Sequence, residues 1–277
     1  MKKTFFALLM VVLSTITAAA DNIVPIQNFN FEKELPGGSS QVLIDFPTGT
    51  DSPVRRAIID YIYESLHSFA GSGVNIAFPS NTCDEQTFGT FIEKYTETLC
   101  HNAAMDQNEY ATSMSEDGET YEMVWFSNLS VQKVADTDLY VSYAFYHGEY
   151  CGGAHDNRGS SAITIRKDDG ARMTDIFKED VEEEMQPLLW KYLIASYQPE
   201  DEKAFIEEIN QFLEANYSIR DYLHLPHGSI YLAPDGVHIL YQPLEICFWA
   251  AGEPEIVIPF DEARPFLTKE VAELTEK

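Results

Sequence analysis

A chain of 277 residues with 45% hydrophobic residues is long enough for one large domain or two closely packed ones, each with its own core. Its 45 acidic residues against 18 basic ones give a formal charge of −27, a surface that repels nucleic acid and anionic lipid headgroups. The same surface attracts cationic partners with a strength that fades as salt screens it, and it also serves solubility alone.

The chain opens with Lys2 and Lys3, an apolar run from Phe5 to Ile16, and small residues at Ala18, Ala19 and Ala20. These are the three parts of a secretory signal peptide over residues 1–20, with cleavage after Ala20. The run is too short to span a bilayer comfortably. The expectation is a periplasmic or secreted protein with no membrane span after cleavage. Loss of the two lysines lowers the charge by two, to −29.

The run from Gln41 to Phe46 reads as a strand, and Asp51 to Phe69 as a helix with Asp51 or Ser52 as its cap, Pro53 in its first turn, and Ile58, Ile59, Ile62, Tyr63 and Leu66 along one stripe. A second helix, from Asp84 to about Ala104, carries Phe88, Phe91, Ile92, Tyr95 and Leu99 on one side. Alternating segments rich in Tyr, Val, Phe and Trp, Thr120 to Lys133 and Asp138 to His147, predict half-buried antiparallel strands. A strand over Ser161 to Arg166 enters a turn with an Asp169-Gly170 step, which supplies the positive φ of a tight hairpin. Acidic helices follow over Val181 to Tyr197 and Pro199 to Asn216. Strands at Ser229 to Leu232 and Val237 to Tyr241 flank Pro234-Asp235-Gly236. A strand near Glu255 to Phe260 and a C-terminal helix from Asp261 close the chain. Helices and hairpins are segregated, so the class is α+β: antiparallel sheets with helices packed on one face, in two closely packed subdomains, 21–148 and 149–277.

Cys83, Cys100, Cys151 and Cys247 in a chain bound for an oxidising compartment predict two disulfides. Unless the helix breaks at Gly89, it would hold Cys83 and Cys100 roughly 25 Å apart, beyond the reach of about 7 Å that a disulfide allows. The expectation is therefore that both pair with Cys151 and Cys247. No clustered Cys/His spacing points to zinc, and no metal or cofactor is expected.

The most conspicuous local signal is Tyr150-Cys151-Gly152-Gly153-Ala154-His155-Asp156-Asn157, at the end of a long strand. Paired glycines reach backbone conformations closed to other residues and let a neighbour approach closely. His155 beside Asp156 has the makings of an oriented base, but one His without further ligands suits a structural role as well. No Lys follows the glycines at phosphate-loop spacing, and neither G-x-S-x-G nor H-E-x-x-H occurs. No catalytic residue is assigned. Tyr150, Gly152, Gly153, Ala154, His155 and Asp156 form the candidate ligand-binding turn, with pure fold specification as the alternative.

The Y-C-G-G-A-H-D-N segment, together with Asp168 to Phe177 and Asp235 to Phe260, resembles the extracytoplasmic domain of lysozyme-sensing anti-sigma factors, which also accompanies certain peptidoglycan deacetylases. Leu244 stands where that family commonly has Tyr, and neither a segment to hold a sigma factor nor a deacetylase domain is present. The resemblance implies an α+β module that binds something at the cell envelope without catalysis: lysozyme or another basic protein. The alternative is peptidoglycan, bound or modified as a glycan, with His155 and Asp156 as the working groups.

Overall fold

The computed structural model describes residues 22–70, 73–114 and 123–276. The signal peptide expected over residues 1–20 lies outside them. Among the described residues no helix is long and apolar enough to cross a membrane.

A six-stranded sheet organises the molecule. Its strands are β1 (Ile26–Leu35), β2 (Gly38–Pro47), β3 (Trp125–Asp136), β4 (Tyr140–Tyr150), β5 (Asn157–Arg166) and β6 (Arg172–Met173), in that spatial order. All neighbours are antiparallel except β2 and β3. That parallel pair follows from the connection, since between them the chain leaves the sheet for two helices and returns in the same direction. These are α1 (Pro53–Ala70) and α2 (Glu85–Met114). Ser52 Oγ accepts from Arg55 N at 3.2 Å and Asp84 Oδ1 from Thr87 N at 2.7 Å, so each helix starts on a side-chain cap.

Both helices cover one face of the sheet. Val42, Ile44, Phe46, Val131, Val141, Tyr143 and Ile165 rise to meet Ile58, Ile62, Leu66, Phe88, Ile92 and Tyr95, and all of these are fully buried. α2 runs unbroken through Gly89, where an added Cβ would lie 2.9 Å from the Phe29 ring. The glycine serves close packing and does not end the helix. β1 has no counterpart in the hydrophobic pattern, because it is an edge strand whose residues are mostly exposed and polar.

The opposite face is divided. Over β4 and β5 it carries a second unit: α3 (Glu182–Tyr197), α4 (Glu202–Tyr217), β7 (Ile230–Ala233), β8 (Gly236–Leu240), β9 (Glu255–Ile258), α5 (Phe260–Ala263) and α6 (Lys269–Leu274). β7, β8 and β9 form an antiparallel sheet. Its core joins Met185, Leu189 and Leu193 to Leu232, Val237, Ile239, Ile256 and Ile258. Over β1 to β3 the face stays polar, with Asn28 Nδ2 donating to Asp45 Oδ1 at 2.5 Å and Gln41 N to Asn128 Oδ1 at 2.9 Å.

The architecture is α+β. Residue 148, where the sequence reading divides the chain, lies inside β4, and the six-stranded sheet continues through β5 and β6.

The expected disulfides are absent: all four cysteines are free. Cys83 Sγ lies 3.4 Å from the Tyr63 hydroxyl, and Cys100 Sγ points at the Gly38 carbonyl, 3.5 Å away, both on the helical side. Cys247 is buried in the other core, 3.9 Å from the Tyr197 hydroxyl, and Cys151 is exposed at the end of β4. The sheet itself stands between Cys247 and its expected partners.

Candidate functional site

β4 delivers the glycine turn to the sheet's end. Gly152 and Gly153 take φ values of +94° and +103°, which only glycine adopts without strain. A Cβ on Gly152 would also stand 3.3 Å from the Trp125 ring. Tyr150 stacks on Phe126 with ring centres 6.1 Å apart, and its hydroxyl donates to the Gly153 carbonyl at 3.0 Å. The turn is thus fixed from beneath, leaving Gly153, Ala154 and His155 exposed.

His155 stacks on Trp249 at 4.1 Å, with the rings inclined by 21°. The Arg158 guanidinium lies 5.7 Å from the Trp249 ring centre and donates through Nε to Asp156 Oδ2 at 2.6 Å. That hydrogen bond holds the Asp156 carboxyl below its ordinary range. Glu253 shows the opposite shift: burial raises it, and Asp156 adds to the rise against Arg158. His155 Nδ1 sits 2.8 Å from the Asp156 carbonyl. Its ring is committed to Trp249 and to its own neighbour. The turn residues thus come together at one exposed surface.

Sequence reasoning missed the partner loop, residues 242–251. Gln242 joins it to β5: Ser160 N donates to Gln242 Oε1 at 2.9 Å, and Gln242 Nε2 donates to the Ser160 carbonyl at 2.7 Å. One side-chain amide pairs there as a neighbouring strand would. Gln242 N donates to Glu245 Oε2 at 2.6 Å, and Glu245 Oε1 meets His224 Nε2 at 2.7 Å, a hydrogen bond that raises the imidazole above its ordinary value. On this braced loop Leu244 adopts φ +64° while 47% exposed, and Phe248 is 37% exposed. Leucine rarely enters that region, and nothing in a core rewards it here. The readable signal was Phe248-Trp249, two aromatics in a loop between strands.

A second polar cluster crosses the small sheet. His238 Nδ1 meets Glu255 Oε1 at 2.7 Å, His238 Nε2 meets Asp235 Oδ1 at 2.9 Å, and the Tyr231 hydroxyl lies 3.0 Å from His238 Nδ1. Burial pulls the imidazole down, but the bonds to Glu255 and Asp235 outweigh it and raise it. A cleft of about 890 Å³ lies elsewhere, between α1, β6 and the 222–230 loop, with Tyr61, Glu64, Arg172, Asp175 and Tyr222 in its walls.

Residues 174–261 match the family model described as "Protein of unknown function (DUF3298)". A DUF3298 family member from Bacteroides fragilis superposes with a TM-score of 0.61 at 19% identity, covering 91% of this chain and 97% of its own. One from Pseudomonas aeruginosa superposes with 0.55 at 16% identity and the same coverage. At such identities the likeness shows the fold alone. No curated protein matches. Leu244, Phe248 and Trp249 lie within the matched residues 174–261, whereas the Gly152-Gly153 turn precedes them.

Proposed function

We propose that this chain is a non-catalytic, exported cell-envelope protein that binds a basic protein partner, of which lysozyme is the representative probe. The contact surface is the glycine turn with the 242–251 loop: His155 stacked on Trp249, and Leu244 and Phe248 exposed on the same loop as Trp249. The observation that carries this reading is Leu244, a large apolar side chain exposed on a strained backbone that Gln242 and Glu245 hold in place. Strain kept at the surface by surrounding hydrogen bonds is characteristic of functional contacts, and the acidic excess of the whole chain suits a cationic partner. A charge of −29 once residues 1–20 are removed speeds the encounter, while the apolar centre sets the lifetime of the complex.

Retention of lysozyme on the immobilised protein, beside an equally basic unrelated protein and purified peptidoglycan, tests the reading. Lysozyme alone should survive moderate salt, and Leu244→Asp should release it. If the two basic proteins elute together, acidity is a solubility device; if only peptidoglycan is retained, the His155–Trp249 stack is a platform for a glycan.

A further inference from the structure

Gln242-Pro243-Leu244-Glu245 closes a turn in which Glu245 N donates to the Gln242 carbonyl at 3.1 Å. Proline in the second place and a positive φ in the third are the marks of a type II turn, whose third place ordinarily falls to glycine or asparagine. Here Leu244 fills it at φ +64°, so the turn needs support from outside itself. The Glu245 carboxylate supplies that support from both oxygens: Oε2 accepts from Gln242 N at 2.6 Å, and Oε1 meets His224 Nε2 at 2.7 Å. The Tyr217 hydroxyl donates to the Leu244 carbonyl at 3.3 Å.

His224 is itself held. Its carbonyl accepts from the buried Tyr241 hydroxyl at 2.9 Å, and its ring meets the Tyr241 and Tyr217 rings with centres 6.0 Å and 6.3 Å away. The charged groups that face it are Glu245 and, from α3, Glu182, whose oxygens accept from the Tyr222 hydroxyl at 2.7 Å and from Leu225 N at 3.0 Å. The hydrogen bond to Glu245 raises the imidazole against the effect of burial, and the charges of Glu245 and Glu182 add to the rise. A protonated imidazole donates a charge-assisted bond, roughly twice as strong as one from the neutral ring. The bond is therefore at full strength below about pH 6.5 and weakens as pH rises through the higher folded value.

We propose that His224 is a positioning residue for the contact surface: acting through Glu245, it holds Leu244 in its exposed left-handed conformation, and the hold tightens when the imidazole is protonated. What the clamp serves rests on the contact surface proposed above; how it works rests on the geometry of the turn alone. A basic protein partner meets a firmly set Leu244 in mildly acidic surroundings and a looser one in alkaline surroundings. Since ordering a loop on binding costs affinity, the difference appears as faster dissociation at high pH.

The test is amide exchange of the protein alone at about pH 5.5 and about pH 8.5, corrected for the intrinsic pH dependence of exchange. Opening at the Gln242 and Glu245 amides should be about fivefold more frequent at the higher pH. In His224→Gln, whose side-chain amide donates to Glu245 without titrating, it should be the same at both. Should His224→Gln fail to fold, Glu245→Gln, which removes the charge and keeps an acceptor for Gln242 N, carries the same expectation. Equal opening of the unaltered protein at the two pH values, or an undiminished rise in the variant, overturns the proposal. In a second arm, lysozyme should leave the unaltered protein about fivefold faster at the higher pH, and equally fast at both from His224→Gln. Exchange as expected with no lysozyme retained at either pH upholds the clamp and removes the lysozyme reading; lysozyme leaving at one rate despite the looser turn overturns the clamp's role in the contact.

Discussion

The two faces of the six-stranded sheet are covered by different physics. Against α1 and α2 the contact is a continuous apolar layer whose members are almost all fully buried. On the other face, the second unit meets β4 and β5 partly through polar interlocks. Ser142 Oγ donates to the Leu232 carbonyl at 2.6 Å, Leu232 N to Thr164 Oγ1 at 2.9 Å, Ala162 N to the Gly228 carbonyl at 3.0 Å, and Gln242 pairs with Ser160. Apolar contact alone tolerates small shifts, whereas these bonds fix one position. The difference matters for function, because the proposed contact surface exists only where that unit and the glycine turn are held in register.

The sharpest way to break the comparison is to cut into each layer. Phe46→Ala, in the wholly buried helical layer, should cost about 3 to 5 kcal/mol and lower the denaturant midpoint accordingly. Gln242→Ala leaves the Ser160 N–H and carbonyl without their partner, and should cost about 1 to 3 kcal/mol. Its diagnostic consequence is faster amide exchange across 242–251 with β1 and β2 unchanged. If the exchange spreads evenly through the chain, Gln242 is not the interlock described here. Gly152→Ala, forced to φ +94° beside Trp125, should cost about 1 to 2 kcal/mol by equilibrium unfolding, and a stability equal to that of the parent would remove the strain argument.

The smallest expected effect is on pH dependence. The His238 imidazole is raised, so its stabilisation is fully present below the unfolded value of about 6.5 and is lost as pH rises through the folded value. Glu255 and Asp235 are lowered, chiefly by hydrogen bonds to His238, so their share is present above unfolded values of about 4 and is lost as pH falls through the folded ones. The cluster therefore helps most between about pH 4 and 6.5. His238→Gln should lose stability in that window and little above pH 8, and an equal loss at both would show that packing against Tyr231 matters more than charge.

Much of the helical layer was legible because it is built from periodicity. The stripe Ile58, Ile59, Ile62, Leu66 and the alternation in β3 and β4 are properties of one segment at a time, and α1 and β4 follow them within a few residues, whereas α2 runs ten residues past its expected end near Ala104 and the expected start of β3 at Thr120 lies outside the described residues. The same local logic located the glycine turn. It could not locate what the turn packs against, since Trp249 is about 90 residues downstream and its approach depends on Gln242 meeting Ser160. The cysteines teach the same lesson from the other side. Their count and expected compartment argued for pairing, yet Cys247 and the two cysteines on the helical side are kept apart by the sheet.

Amide hydrogen exchange of the protein with and without saturating lysozyme tests the central claim most directly. The account predicts protection confined to residues 150–158 and 242–253, with the rest of the chain unmoved. Protection centred on α1 and β6 at the large cleft, or no protection at all, would contradict it.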